Sequence, residues 1–155
     1  MSAVITLAPV GWVRGGRAEP DDDNWGDVQS VIELDGARFG PAALAGLDAF
    51  SHIEVVYVFD KVADGAVEMG ARHPRGRADW PAVGIFAQRA KNRPGRLGVT
   101  TCALLRVDGL RVFVSGLDAI DGTPVVDIKP YMTGFAPRGV VCEPAWAVEL
   151  MRDYW

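Results

Sequence analysis

A mainly β fold is predicted for this chain: a small closed or nearly closed β-barrel with long loops and a short C-terminal helix. Three observations predict it. Six or more short runs rich in β-branched and aromatic residues stand between Gly, Pro and Asp-Gly turn signals. The 155 residues, 49% of them apolar, have the size and composition of one domain with a substantial core, read as a single unit over residues 1–155. Helical periodicity is confined to the C-terminal end, and no strand–Gly-x-Gly-x-x-Gly–helix arrangement announces a dinucleotide fold.

Residues 4–13 read as a first strand, with Pro9 and Gly11 placing it at an edge or a bend. Residues 14–27 form a loop, in which three adjacent carboxylates, Asp21 to Asp23, suit a solvated turn. Trp25 in that loop either caps the core or offers a stacking face. Period-two alternation marks residues 28–34 as a strand, Asp35-Gly36 as a turn, and residues 41–47 as at most two helical turns opened by Pro41. Residues 51–60 make the most apolar strand, with Glu54 the one charge inside it, as in a barrel wall covered on both faces. The connection over residues 61–80 is long and glycine-bearing, and such loops more often carry function than merely connect. Strands follow at 83–87, 99–107 and 110–115, the last two joined by the hairpin signal Asp108-Gly109, and a short one at 125–128. After irregular residues 131–144, apolar Trp146, Leu150 and Tyr154 space a terminal helix over 145–154.

The net charge of −4 argues against general affinity for nucleic acid, but its distribution does not. Arg72, Arg75, Arg77, Arg89, Lys91, Arg93 and Arg96 stand against Asp79 alone within residues 72–96, a local basic surface or a well-solvated loop. Cys102 and Cys142 lack disulfide or zinc spacing, and His52 and His73 are too few for a metal cluster, so no metal is expected. No apolar run approaches the ~20 residues that span a bilayer, and no basic flank opens a signal peptide, so the expectation is a cytoplasmic protein without a membrane partner.

Two blocks dominate the remainder: GIFAQRAKNRP at 84–94 and GLDAIDGTPVVDIKPY at 116–131. With PVGWVR, DDDNWG, GLDAFSHIEVVYVFD and RHPRGR, they make residues 7–137 resemble the TsaA/TrmO-like family, small β-barrel methyltransferases that use S-adenosylmethionine. The resemblance implies a cofactor site lined by Asn24, Trp25, Phe59, Asp60, Arg89, Leu97, Gly98, Asp121, Gly122 and Thr123. Physical chemistry allows each role. Phe59 can flank adenine, Asp60 can accept from ribose or ammonium, Arg89 can clamp a carboxylate or phosphate, and Gly98 and Gly122 admit close approach of main-chain amides. Taken alone, Asp121-Gly122 reads equally as a plain turn.

The resemblance also implies N6-methylation of threonylcarbamoyladenosine beside the anticodon of transfer RNA, and a homodimer is expected because a small barrel of this kind can complete its cleft with a neighbour. Arg72, Arg75, Arg77, Lys91, Arg93 and Arg96 are then the RNA-binding candidates. The urea-like acceptor nitrogen needs a base. Asp121, Asp127 and Tyr131 are the candidates, although Asp127-Ile128-Lys129 is equally a structural ion pair. Where many members have Arg-Pro-Asn-Pro-Ile-Gly, this chain has Arg93-Pro94-Gly95-Arg96-Leu97-Gly98, and the expectation is a protein without the C-terminal domain of longer members. These departures leave open a small-molecule acceptor, or a non-catalytic protein that binds S-adenosylmethionine or RNA.

Overall fold

A computed structural model describes residues 2–155. Its strands are β1 (Gly11–Arg14), β2 (Gln29–Leu34), β3 (His52–Val58), β4 (Ala71–Arg72), β5 (Val83–Gly84), β6 (Leu97–Asp108), β7 (Arg111–Ser115) and β8 (Pro124–Pro130). Six of them close a barrel in the order β1-β2-β7-β6-β3-β8, every pair antiparallel, while β4 and β5 form a separate two-stranded ribbon. One α-helix, α1 (Ala145–Leu150), and several single turns of 3-10 helix complete the chain.

The barrel closes because alternate residues of each strand are apolar. Val13, Ile32, Ile53, Val55, Val112, Val114 and Val125 are fully buried in one core, joined by Leu117 from the loop after β7. On β3 the burial alternates strictly: the inward face is sealed and the outward face half-covered, so the wall is not buried equally on both sides. At Gly11 the β1 backbone passes so close to β2 that a Cβ would stand 2.4 Å from the Glu33 carbonyl oxygen; only glycine permits this closure. Asp108 pairs with Arg111 across Gly109 at φ 60°, confirming the hairpin.

Four elements differ from the sequence reading. The first strand starts at Gly11, and Val4, Ile5 and Leu7 ahead of it are exposed. Residues 83–87 are not a barrel strand: pairing stops after Gly84, and residues 85–87 turn as a 3-10 helix that Gln88 ties back by donating to the carbonyls of Val83 and Arg72. In place of a short helix at 41–47 stand two 3-10 turns, Pro41–Leu44 and Leu47–Ala49, separated by Gly46 at φ 85°. Lastly, α1 ends at Leu150 because the next residues are pulled onto the early loop: the amides of Asn24 and Trp25 donate to the carbonyls of Asp153 and Tyr154, each at 2.8 Å.

Candidate ligand cleft

A cleft of about 900 Å³ opens beside the barrel. Its walls come from the loop before Trp25, the end of β3 through Asp60, the β4 region, residues 88–92, Thr100 on β6, residues 118–120, and the C-terminal segment with Trp146, Tyr154 and Trp155. Asp118 is the polar centre. Its Oδ1 accepts from the Tyr57 hydroxyl at 3.0 Å and from the Thr100 hydroxyl, and its Oδ2 accepts from the Tyr154 hydroxyl. Burial, and then the Asp118 charge, push the phenols of both Tyr57 and Tyr154 far above the usual tyrosine range. All three hydroxyls therefore remain protonated donors.

The barrel register explains why Tyr57 can sit there. Its partner on β6 is Gly98, where a Cβ would lie 2.5 Å from the Tyr57 ring and 3.0 Å from Phe59. Gly98 thus makes room for an aromatic pair, whose rings meet edge-on with centroids 5.4 Å apart. Its Cβ space is filled from within the protein, which gives Gly98 a packing role, and it is not among the residues that line the cleft.

Of the predicted cofactor residues, Trp25, Phe59, Asp60, Arg89 and Thr123 line the cleft. Trp25 is 3% exposed, donates to the Asp21 carbonyl at 2.9 Å and lies under the Arg17 guanidinium, so it is buried beneath its own loop and contributes to the cleft lining. Arg89 is exposed and donates to the Val99 carbonyl at 2.6 Å through one nitrogen. Asn24 takes a left-handed φ of 63° and serves through its backbone, while Leu97 pairs with Val58 outside the cleft lining. Asp121 and Gly122 form a turn: Asp121 Oδ1 accepts the Gly15 amide at 2.8 Å, and Gly122 has φ 85°.

None of the three predicted catalytic residues lines the cleft. Asp121 is spent on its turn. Asp127 pairs with Lys129 at 2.6 Å, accepts the Ile128 amide, and borders a separate apolar groove of about 610 Å³. Tyr131 is half-buried at the end of β8, its amide bonded to the His52 carbonyl. Asp118, Tyr57, Thr100 and Tyr154 were missed. Asp118 lies inside the second motif, and the Tyr57–Gly98 pairing was readable as a large residue facing a small one, but nothing in the sequence brings Tyr154 to them.

The RNA-binding candidates separate as well. Arg75 pairs with Asp23 at 2.9 Å, Arg77 with Asp79, and Arg96 with Asp64, while Arg93 donates to the Gln88 carbonyl at 2.6 Å. Arg96 holds φ 48°, a conformation closed to proline, so the turn that departs from the family pattern has its own backbone geometry. Arg72 and Lys91 line the cleft, as does Arg75. Among the described residues, no group of three or more His, Cys, Asp or Glu is placed to hold a metal, and no helix is long and apolar enough to cross a membrane.

Fold and site together define a six-stranded antiparallel barrel with one polar cleft beside it, walled by the residues of both sequence motifs. The profile of the tRNA-methyltransferase O N-terminal domain matches residues 19–136, and the chain belongs to that family. A mouse protein named tRNA (adenine(37)-N6)-methyltransferase is 40% identical over 93 residues, covering 60% of this chain and 21% of its own length. One of the same name from Eikenella corrodens is 39% identical over 116 residues, 66% of this chain and 65% of the relative. The crystal structure of TrmO from Pseudomonas aeruginosa superposes with a TM-score of 0.75 at 24% identity, covering 94% of this chain and 63% of that one, which shows a shared fold. The chain thus spans about a fifth of the mouse relative's length.

Proposed function

We propose that this chain is an S-adenosylmethionine-dependent methyltransferase acting on N6 of threonylcarbamoyladenosine beside the anticodon of transfer RNA. The observation that carries the reading is the convergence of Arg89, from the first motif, and Asp118, from the second, on one cleft of about 900 Å³. That volume suits a nucleoside-sized ligand. The lining fits the donor group by chemistry: Phe59 for a flat base, Asp60 for hydroxyl or ammonium, and Arg89, with guanidinium nitrogens to spare, for a carboxylate. When bound, S-adenosylmethionine supplies a methyl group already activated by a sulfonium charge.

The protein's own work is placement and proton handling. Of Asp118, Asp121 and Asp127, Asp118 alone lines the cleft, and it is assigned to accept the proton lost from the acceptor nitrogen. Tyr57 and Thr100 hold one of its oxygens and Tyr154 the other, which fixes the plane of the carboxylate. Trp25, Trp146 and Trp155 contribute indole surface to its walls. A homodimer is part of the proposal: Phe86 (78% exposed), Leu97 and Val99 leave apolar surface open next to Arg89.

The test is incubation with S-adenosylmethionine and transfer RNA carrying the unmethylated modified adenosine, followed by mass spectrometry of the nucleosides. Methylated product supports the proposal. Donor binding without turnover would favour a sensor, and transfer to a free nucleoside alone would favour a small-molecule enzyme.

A further inference from the structure

Apart from Arg89, which donates to the Val99 carbonyl and is assigned to the donor, the cations of residues 72–96 fall into two sets. Arg75, Arg77 and Arg96 are neutralised by Asp23, Asp79 and Asp64, and Arg93 is held by a carbonyl. Among the described residues, Arg72 and Lys91 have no carboxylate within ion-pairing distance, and both line the cleft. Arg72 is half-buried, and its Nε is shielded from solvent without any hydrogen-bond partner. A charged donor left unbonded in such a place costs stability, and the fold gains nothing visible from it.

The frame around Arg72 is nevertheless well held. Its backbone pairs with Val83 across β4 and β5, and its carbonyl accepts from Gln88 Nε2 at 3.0 Å. Gln88 in turn anchors Arg93 through its own carbonyl, and Arg89 and Lys91 lie between those two residues. The unpartnered guanidinium is therefore carried by a braced ribbon, as a binding group is. The carboxylates in the same cleft do not answer it: Asp118 already accepts from three hydroxyls and makes no ion pair among the described residues, Asp22 lies 4.0 Å from Arg75, and Glu19, Asp21 and Asp60 are exposed.

We propose that Arg72, assisted by Lys91, forms an anion subsite in the cleft that takes a carboxylate or phosphate of the methyl acceptor, separate from the donor's contact at Arg89. This rests on the reading that the acceptor enters this cleft. It replaces a basic surface laid along an RNA backbone with one anionic group inserted beside the reacting nitrogen. Specificity follows: an acceptor without that group leaves Arg72 unpaired, and a site built for a partner rejects the analogue that lacks it.

The experiment is calorimetric titration of the wild-type protein and of Arg72→Gln, Arg72→Lys and Lys91→Gln with three nucleosides. N6-threonylcarbamoyladenosine carries a carboxylate and no phosphate, adenosine 5′-monophosphate a phosphate and no carboxylate, and adenosine neither. Wild type is expected to bind at least one anionic nucleoside about ten-fold more tightly than adenosine, the worth of one charge-assisted pair. Which one it prefers tells carboxylate from phosphate. Arg72→Gln should erase the preference, Arg72→Lys should keep part of it, and Lys91→Gln should reduce it; thermal melts check that each variant folds. A preference undiminished in Arg72→Gln, or no preference in wild type, overturns the subsite. The transfer-RNA methylation assay is separate: activity without anion preference defeats the subsite alone, and an Arg72-dependent preference without activity defeats the functional reading alone.

Discussion

Tyr154→Phe isolates one oxygen at the centre of the cleft. The ring stays, with its edge-on contact to Trp155 at a centroid distance of 4.8 Å, and only the donor to Asp118 Oδ2 is removed. A hydrogen bond to a charged group contributes about 1.5–3 kcal/mol. Asp118 is only half-buried, so water can replace the lost donor, and a cost of about 1 kcal/mol is expected, a drop of about 2–4 °C in melting temperature for a domain of this size. Tyr57→Phe is the comparison. Tyr57 is 2% exposed, so water replaces its hydroxyl less readily, and the loss should approach about 3 kcal/mol. Urea unfolding of both variants, with unchanged denaturant slopes, gives the numbers. Equal costs for the two, or none for either, would refute the arrangement of donors around Asp118. In Asp118→Asn both phenols should titrate at lower pH than in wild type, because the neighbouring charge that raises them is gone, while burial keeps them above an exposed tyrosine.

Gly98→Ala sets a Cβ 2.5 Å from the Tyr57 ring; a cost of about 1–3 kcal/mol and a loss of donor affinity are expected, measured by thermal melts and calorimetry, and unchanged values would contradict the packing role. Burial, and next Asp118, push the Cys102 thiol up to about 12, whereas Cys142 is exposed. A thiol reagent should label one cysteine in the native protein and both in urea; rapid native labelling of both would count against the core position. The unfolded thiol ionises near its ordinary value of 9.0, so the unfolded state releases its proton first as pH rises. The Cys102 contribution is nil below about pH 9 and lowers stability from there toward pH 12, and Cys102→Ala should remove that share of the alkaline decline in urea midpoints measured against pH, leaving the share due to Tyr57 and Tyr154. Asp127→Ala removes an exposed ion pair with Lys129 away from the cleft, and full methylation activity is expected to survive it.

Local pattern carried the barrel. Alternation in residues 28–34, the apolar run of β3 and the Asp108-Gly109 turn are each decided within a few residues, and the structure keeps all of them. Where tertiary bonds overrode pattern, the reading failed: Gln88 bends residues 85–87 out of a strand, and the Asn24-Trp25 backbone captures the tail that helical spacing would have extended. The cleft was half legible for the same reason. Phe59, Arg89 and Thr123 stand in recognisable motifs, but the choice among Asp118, Asp121 and Asp127 depends on which carboxylate a distant residue satisfies. Gly15 takes Asp121, Lys129 takes Asp127, and Asp118 is left facing the cleft with Tyr154 on it. Charge counting likewise overstated the basic surface, since Asp23 and Asp64, from outside the stretch, reach in to cancel two more of its arginines.

Methylation of transfer RNA by wild type and by Asp118→Asn, read by nucleoside mass spectrometry, is the most direct test of the claim that this cleft performs the transfer. The replacement keeps the size of the side chain and removes its capacity to take a proton. Product from wild type and a fall of about 100-fold or more in Asp118→Asn are the expected result. Undiminished product from Asp118→Asn, with loss of product from Asp121→Ala or Asp127→Ala instead, would move the chemistry out of the cleft and contradict the account.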